Sequence, residues 1–169
     1  HEGAEGDCLT IMDMYEKFFT EYLAFDGFKG VKTEDERFPG ANNTFAFEAM
    51  MQDGKALQAA TSHDLGTNFA ETFNIKYQTN DGGEEFVHTT SWAFSTRAIG
   101  GMIMIHGDDD GMVMPPRIAP QQIVILPVIK DDTAEAVGAY CEKLAARLKA
   151  AGIRVKLDDR DMRTPDKMW

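Results

Sequence analysis

Cysteine is scarce in this chain, and the two present, Cys8 and Cys141, lie far apart and form no CxxC or other ligand spacing. Neither a disulfide framework nor a structural metal is indicated, which leaves two reduced thiols of the kind found in cytosol. Long apolar runs are missing too. None approaches the roughly 18 residues of a membrane span, and the N-terminus lacks a basic region followed by an apolar one, so neither a membrane helix nor a signal peptide is expected. Internal repeats and low-complexity segments are absent. Cations are few in the first part: residues 1–120 carry 8 Lys/Arg against 20 Asp/Glu, a net of −12, whereas residues 121–169 carry 9 against 8, a net of +1. An acidic surface excludes indiscriminate binding to phosphate backbones, since that affinity comes from Lys and Arg. If a nucleic acid is bound, the near-neutral C-terminal part is the contact.

What is present suits one domain, or one and a half. The 169 residues are 43% hydrophobic, ample for a packed core. From Cys8 to Phe25 the apolar positions Leu9, Ile11, Met12, Met14, Tyr15, Phe18, Phe19, Tyr22 and Leu23 recur at steps of three and four, a core-facing helical stripe. Asp26 to Arg37 reads as a loop and Thr44 to Gln52 as a strand, with Asp53-Gly54 turning the chain into a return strand, Lys55 to Ala60. A short helix is expected at Leu65 to Phe73, a strand at Asn74 to Gln78, a turn at Asn80 to Gly83 and a strand at Glu85 to Thr90. Phe94 to Ile105 favours helix, with Ser91 or Ser95 to cap its start and Gly107 to end it, and Met112 to Met114 reads as a short strand. Antiparallel hairpins interleaved with helices indicate an α+β sheet.

The character changes after Ala119-Pro120. Ile123 to Val128 is a continuous apolar strand, Thr133 to Ala151 an amphipathic helix ending at Gly152, and Ile153 to Leu157 another strand. That is a βαβ unit with a parallel pair, so a separate α/β domain is expected over 121–169, following a first domain over 1–120. The chain stops at Asp166-Lys167-Met168-Trp169, too soon to finish a sheet, so a longer polypeptide is expected.

Several side chains are candidates for chemistry. Arg97 falls in the first turn of a helix just after a strand, where unpaired N–H groups and the helix dipole favour an anion; Arg and helix start together can hold a triphosphate, and a surface ion pair is the alternative. His63, after Thr61-Ser62 at an expected strand-to-helix junction, is either a capping or core histidine or a site residue. Phe38 is a core aromatic or a pocket wall, and Glu48 on FAFEAMM faces a nucleotide or solvent. Asp108, Asp109 and Asp110 crowd one turn, where adjacent carboxylates point apart and stay solvated. His88 and His106 have no partners at ligand spacing, and Arg117 in PPRIAP reads as a domain-junction residue, with substrate contact as the alternative.

The run TSWAFSTRAIGGMIMIHGDDDGMVMPPRIAPQQIVILPV, Thr90 to Val128, resembles the third signature motif of the class II aminoacyl-tRNA synthetases in its prolyl-tRNA synthetase form. FPGANNTFAFEAMMQDGKALQAATSHDLGTNFAETFNIKY, Phe38 to Tyr77, resembles that family's proline-pocket and catalytic-sheet segment, and residues from 121 onward resemble the start of its anticodon-binding domain. The resemblance implies a class II antiparallel sheet followed by a truncated anticodon-binding domain, in a cytoplasmic enzyme, dimeric at full length. It would activate proline with ATP and Mg²⁺ to prolyl-adenylate and pass the prolyl group to its tRNA.

By the same resemblance, Arg97 contacts the terminal phosphates of ATP, Ser95 faces the nucleotide and Gln58 contacts the adenosine side. Phe38, Thr61, His63 and Trp92 line the proline site. Two departures are Ala60 and Ala93, where the family's QAGTSH and SWGLSTR have glycine; a methyl would narrow the site or shift the backbone if φ were positive. The family's first and second motifs are expected before His1, with His1-Glu2 resembling the end of its WQEGHTAH segment. The 169 residues alone are therefore expected not to catalyse adenylation. A non-catalytic paralogue that binds an amino acid or tRNA is the alternative, whereas TSH, SWAFSTR and PPRIAP argue against a threonyl or glycyl enzyme.

Overall fold

The computed structural model describes residues 2–130 and 132–167. His1 and the terminal Met168-Trp169, on which the expectations about the chain ends partly rest, lie outside the described residues. The chain forms two compact units that divide between Pro115 and Pro116.

The first unit opens with α1 (Glu2–Glu21), whose Cys8, Met12, Tyr15 and Phe19 fall on one stripe and are buried. The helix stops four residues short of Phe25. Ala24 takes a left-handed φ of 53° and turns the chain so that Leu23 and Phe25 still enter the core. The strands β1 (Phe28–Val31), β2 (Asn43–Met50), β3 (Ala56–Gly66) and β6 (Thr89–Ala93) then build a four-stranded sheet in the order β1-β2-β3-β6, antiparallel throughout. Phe45 and Phe47 on β2 pair with Ser62 and Ala60 on β3, and these positions face α1: the rings of Phe19 and Phe47 stack at 5.0 Å. Alternation therefore turns Thr44, Ala46, Thr61 and His63 to the opposite face.

Around this sheet lie α2 (Asn68–Phe73), the small hairpin of β4 (Lys76–Gln78) and β5 (Glu84–Phe86), and α3 (Arg97–His106). The Asp53-Gly54 turn is as expected: Gly54 has φ 79°, and Met51 N–H closes onto Lys55 O at 2.8 Å.

Several boundaries differ from those read in the sequence. The expected loop 26–37 contains β1 and a 3₁₀ turn at Glu34–Glu36. All four β1 residues are exposed, so no apolar alternation announces them. The return strand runs on to Gly66 because β2 and β6 both pair with its second half, and the following helix begins only at Asn68. His63 thus sits within a strand rather than at a junction. Ser91 is a strand residue paired with His63, not a cap. The single strand expected at 85–90 is divided between β5 and β6, and residues 112–114 form no strand.

The second unit contains β7 (Ile123–Ile125), α4 (Ala134–Ala150), β8 (Val155–Leu157) and the short α5 (Thr164–Lys167). The two strands are parallel, with Ile123 opposite Val155, as the βαβ pattern implied. Cys141 and Ala145 of α4 are buried against Ile125 and Val155, with Val137, Leu144 and Leu148 packed around them. Arg154 braces the unit's first turn: its Nε donates to Ala119 O at 3.0 Å and its Nη2 to Pro116 O and Arg117 O at 2.9 and 2.8 Å. Asp158, 2% exposed, is gripped by Arg160 through contacts of 2.6 to 3.0 Å.

Candidate active site

A cleft of about 330 Å³ opens on the sheet face away from α1. Thr61 and His63 of β3 and Thr44 of β2 supply its floor, Gln58 extends it along β3, and Arg37, Phe38 and Pro39 form a wall. The wall is fixed by local hydrogen bonds. Arg37 Nη1 donates to Asn42 O at 2.9 Å, Ala41 N–H to Phe38 O at 2.9 Å, and Asn68 Nδ2 of α2 to Gly40 O at 3.0 Å. Gly40 takes φ 88°, a conformation that glycine adopts without a Cβ penalty. The turn so held places the Phe38 ring 5.0 Å from that of His63 and 6.4 Å from that of Phe69.

Polar contacts converge beneath Phe38. Its backbone N–H donates to Thr44 Oγ1 at 3.1 Å, and the same oxygen lies 2.9 Å from His63 Nδ1. Burial, and then the nearby Lys32 cation, hold the His63 imidazole below its ordinary pKa, which favours the neutral ring. Lys32 pairs with Glu36 at 3.3 Å on the cleft's rim. Arg37 Nε is enclosed with no protein acceptor among the described residues. In an acidic chain the cleft is therefore locally rich in donors. Beyond Lys32 and Glu36 it continues into a second hollow of about 350 Å³ containing Glu48, Phe28 and Met50, so Glu48 borders the cleft region rather than lying on an isolated surface.

Arg97 is the first residue of α3 and is exposed. Its Nη1 donates to Gln58 O at 3.2 Å, so β3 carries the cleft and also anchors the arginine. Ser95 Oγ accepts the Arg97 N–H at 3.3 Å from just outside the helix, but the cap position is Thr96, which makes no side-chain cap bond, so neither expected serine is the cap. The N–H groups of Ala98 and Ile99 donate to Ser95 O and Thr96 O at 3.1 and 3.0 Å, so what this helix start offers an anion is the Arg97 guanidinium together with the helix dipole. At its far end, His106 Nε2 lies 2.7 Å from Leu23 O, and Gln52 Nε2 donates to Ile105 O at 2.7 Å.

The structure does not bring Trp92 to the cleft. It pairs with Ser62, on the face that meets α1, and lines an apolar groove of about 360 Å³ with Ile11, Met14, Tyr15 and Phe18. Its neighbours Ser91 and Ala93, opposite His63 and Thr61, have the cleft's side. The two alanines create no backbone strain. Ala24 and Asn74 alone among the described non-glycine residues have positive φ, so Ala60 and Ala93 need no glycine for conformation. Asp108 Oδ1 accepts the N–H groups of Asp110 and Gly111, a turn-closing role. No group of three or more His, Cys, Asp or Glu is placed to hold a metal among the described residues.

Sequence reasoning missed Thr44, Lys32 and Arg37. For Thr44 a signal was present: the alternation in NTFAFE puts it on the face of Ala46 and Glu48, opposite the large phenylalanines.

Comparison with known proteins shows the family. The tRNA synthetase class II core domain family (G, H, P, S and T) matches residues 5–106, and this chain belongs to that family. The anticodon binding domain family matches residues 122–168. At the level of individual proteins, the chain is 53% identical to a proline–tRNA ligase of Erythrobacter litoralis over 99% of its length, covering 34% of that protein. It is 51% identical to the proline–tRNA ligase of Bdellovibrio bacteriovorus over 98% of its length, or 34% of that protein, and 54% identical to that of Deinococcus radiodurans over 89%, or 30% of it. The chain thus spans about a third of the length of the curated relatives it matches. No helix among the described residues is long and apolar enough to cross a membrane.

Proposed function

We propose that this chain carries part of the catalytic domain, and the beginning of the anticodon-binding domain, of a prolyl-tRNA synthetase. The observation that carries the reading is the identity of half or more of all residues to several proline–tRNA ligases over nearly the whole chain. The site supports it independently, with a donor-rich cleft walled by an aromatic ring and an arginine-bearing helix start tied to the same strand.

In this reading proline lies against Phe38, with Thr61 and His63 as polar anchors. Gln58 and Ser95 border the nucleotide and Arg97 meets its terminal phosphates. The proline carboxylate attacks the α-phosphorus of ATP: a carboxylate–phosphorus bond forms, the bond to the bridging oxygen breaks, and pyrophosphate leaves with that electron pair. The 3′-terminal hydroxyl of tRNA(Pro) then takes the prolyl group and AMP departs. Neither step requires a nucleophile from the protein. The chain's contribution is to hold the reactants in line and to set the Arg97 charge against the departing pyrophosphate. Mg²⁺ is the expected companion of the triphosphate, but the described residues include no acidic cluster fitted to it, so no step is routed through the ion. Trp92 has no part in this pocket, and its side chain belongs to the apolar groove beside α1.

The test is amino-acid-dependent ATP–pyrophosphate exchange by the complete gene product, with each standard amino acid supplied in turn. Exchange supported by proline is the expected result. A folded product that supports exchange with no amino acid would leave the binding paralogue as the reading.

A further inference from the structure

We propose that Thr44 is a positioning residue that holds His63 in the tautomer protonated on Nε2, so that the cleft floor offers an N–H donor to an acceptor oxygen of the ligand. The argument is an accounting of protons. Thr44 is 1% exposed, and its Oγ1 lies between two nitrogens, Phe38 N at 3.1 Å and His63 Nδ1 at 2.9 Å. A backbone N–H can only donate, so Oγ1 accepts from Phe38. The hydroxyl's own proton is buried and needs an acceptor, and Nδ1 is the group within reach. Nδ1 must then be bare, and the neutral ring carries its proton on Nε2. The other tautomer would aim two N–H donors at one oxygen and strand the hydroxyl proton without a partner.

One hydroxyl consequently sets two parts of the cleft. It fixes the backbone of Phe38, whose ring lies 5.0 Å from the imidazole, and it decides which histidine nitrogen is a donor. Nε2 has no protein partner among the described residues, and His63 lines the cleft. With Lys32 and Arg37 on the same cleft, a third donor selects a carboxylate or carbonyl oxygen rather than a cation. The ligand's identity as an amino acid rests on the proposed function; the tautomer does not.

Long-range ¹H–¹⁵N correlation spectra of the complete gene product labelled with ¹⁵N-histidine read the tautomer directly, with His63 assigned by its loss in His63→Gln. The expected spectrum has an unprotonated Nδ1 and a protonated Nε2. Thr44→Val should give a mixture of tautomers, and Thr44→Ser should restore the single form. In proline-dependent exchange, Thr44→Val should raise KM for proline about tenfold, the scale of one neutral hydrogen bond, with kcat little changed and serine restoring it. A wild-type ring protonated on Nδ1, or a Thr44→Val spectrum identical to wild type, overturns the proposal. If Thr44→Val does not fold, the wild-type and Thr44→Ser spectra decide. Should exchange be absent altogether, the proposed function fails while the spectra still judge the tautomer.

Discussion

Replacing Arg97 by alanine should separate activity from stability. The side chain is exposed and makes one hydrogen bond, from Nη1 to Gln58 O at 3.2 Å, so its removal leaves no cavity and no buried group unpaired. A surface change of that kind shifts folding free energy by about 0.5 kcal/mol or less. In the adenylation transition state the same guanidinium would face developing negative charge on pyrophosphate. Loss of one preorganised donor at such a position costs roughly 2.7–4 kcal/mol, or about 10²–10³ in rate. Arg97→Lys keeps a point charge but loses the planar fork that spans two phosphate oxygens, and it should fall between wild type and alanine. The assay is ATP–pyrophosphate exchange at saturating proline, alongside thermal unfolding of each variant. A decline in Arg97→Ala of less than about tenfold would refute the phosphate role. So would a decline that merely tracks the loss of folded protein.

Three further expectations follow from burial and charge. Phe47→Ala removes a ring that is fully buried and stacked on Phe19, and should cost about 3–5 kcal/mol in denaturant unfolding; a change below about 1 kcal/mol would contradict the placement of the core. His63 is held below its ordinary pKa of 6.5 by burial and by Lys32, so just below that pH the unfolded chain binds more protons than the native one. Stability should therefore decline as pH falls through 6.5 towards the native value, and His63→Gln should flatten that part of the pH–stability curve; an unchanged slope would count against it. Asp158 behaves in the same sense at lower pH, because the Arg160 guanidinium lowers its carboxyl from 3.8 to about 2. Its contribution is complete above pH 3.8 and is lost as pH falls through about 2, so Arg160→Ala should move the acid unfolding midpoint upward, and an unmoved midpoint would argue against the pair.

Where local periodicity and tertiary burial coincide, the sequence was readable. The stripe Cys8, Met12, Tyr15 and Phe19 declares both α1 and its buried face, and Asp53-Gly54 declares the hairpin because the turn demands a positive φ that Gly54 supplies. The segment Phe28–Val31 carries no such signal. It is an exposed strand held by backbone pairing with β2 and by Lys29, which reaches Asp13 and Glu16 on α1 at 2.5 and 2.7 Å. Those partners are distant in the chain, and no short window contains them. The same cause lengthens β3: residues 61–64 are paired with β2 on one side, and residues 61–66 with β6, more than twenty residues downstream, on the other, and this pairing overrides the local tendency to enter a helix.

The site divides along the same line. Gln58, Thr61 and His63 are grouped by the family resemblance, since the expected strand ends at Ala60, and it is the longer β3 that puts them on one strand; Phe38 joins them through a turn with a local Arg37–Asn42 bond and a distant anchor, Asn68. Trp92 shows what proximity in a motif cannot decide. It is one residue from Ala93, which lies opposite Thr61, yet in an extended strand one residue is half a period, so the two side chains leave opposite faces of the sheet. Had β6 been helical, Trp92 and Ser95 would have been near neighbours on one surface. As a strand, it sends the tryptophan towards Ile11 and Phe18 of α1 and leaves the serine and alanine beside it on the side of His63. Small residues at those two positions keep that side of β6 low beside the histidine, and this supplies a physical reason for the pattern Ser91-Trp92-Ala93 that does not require the indole to touch a ligand.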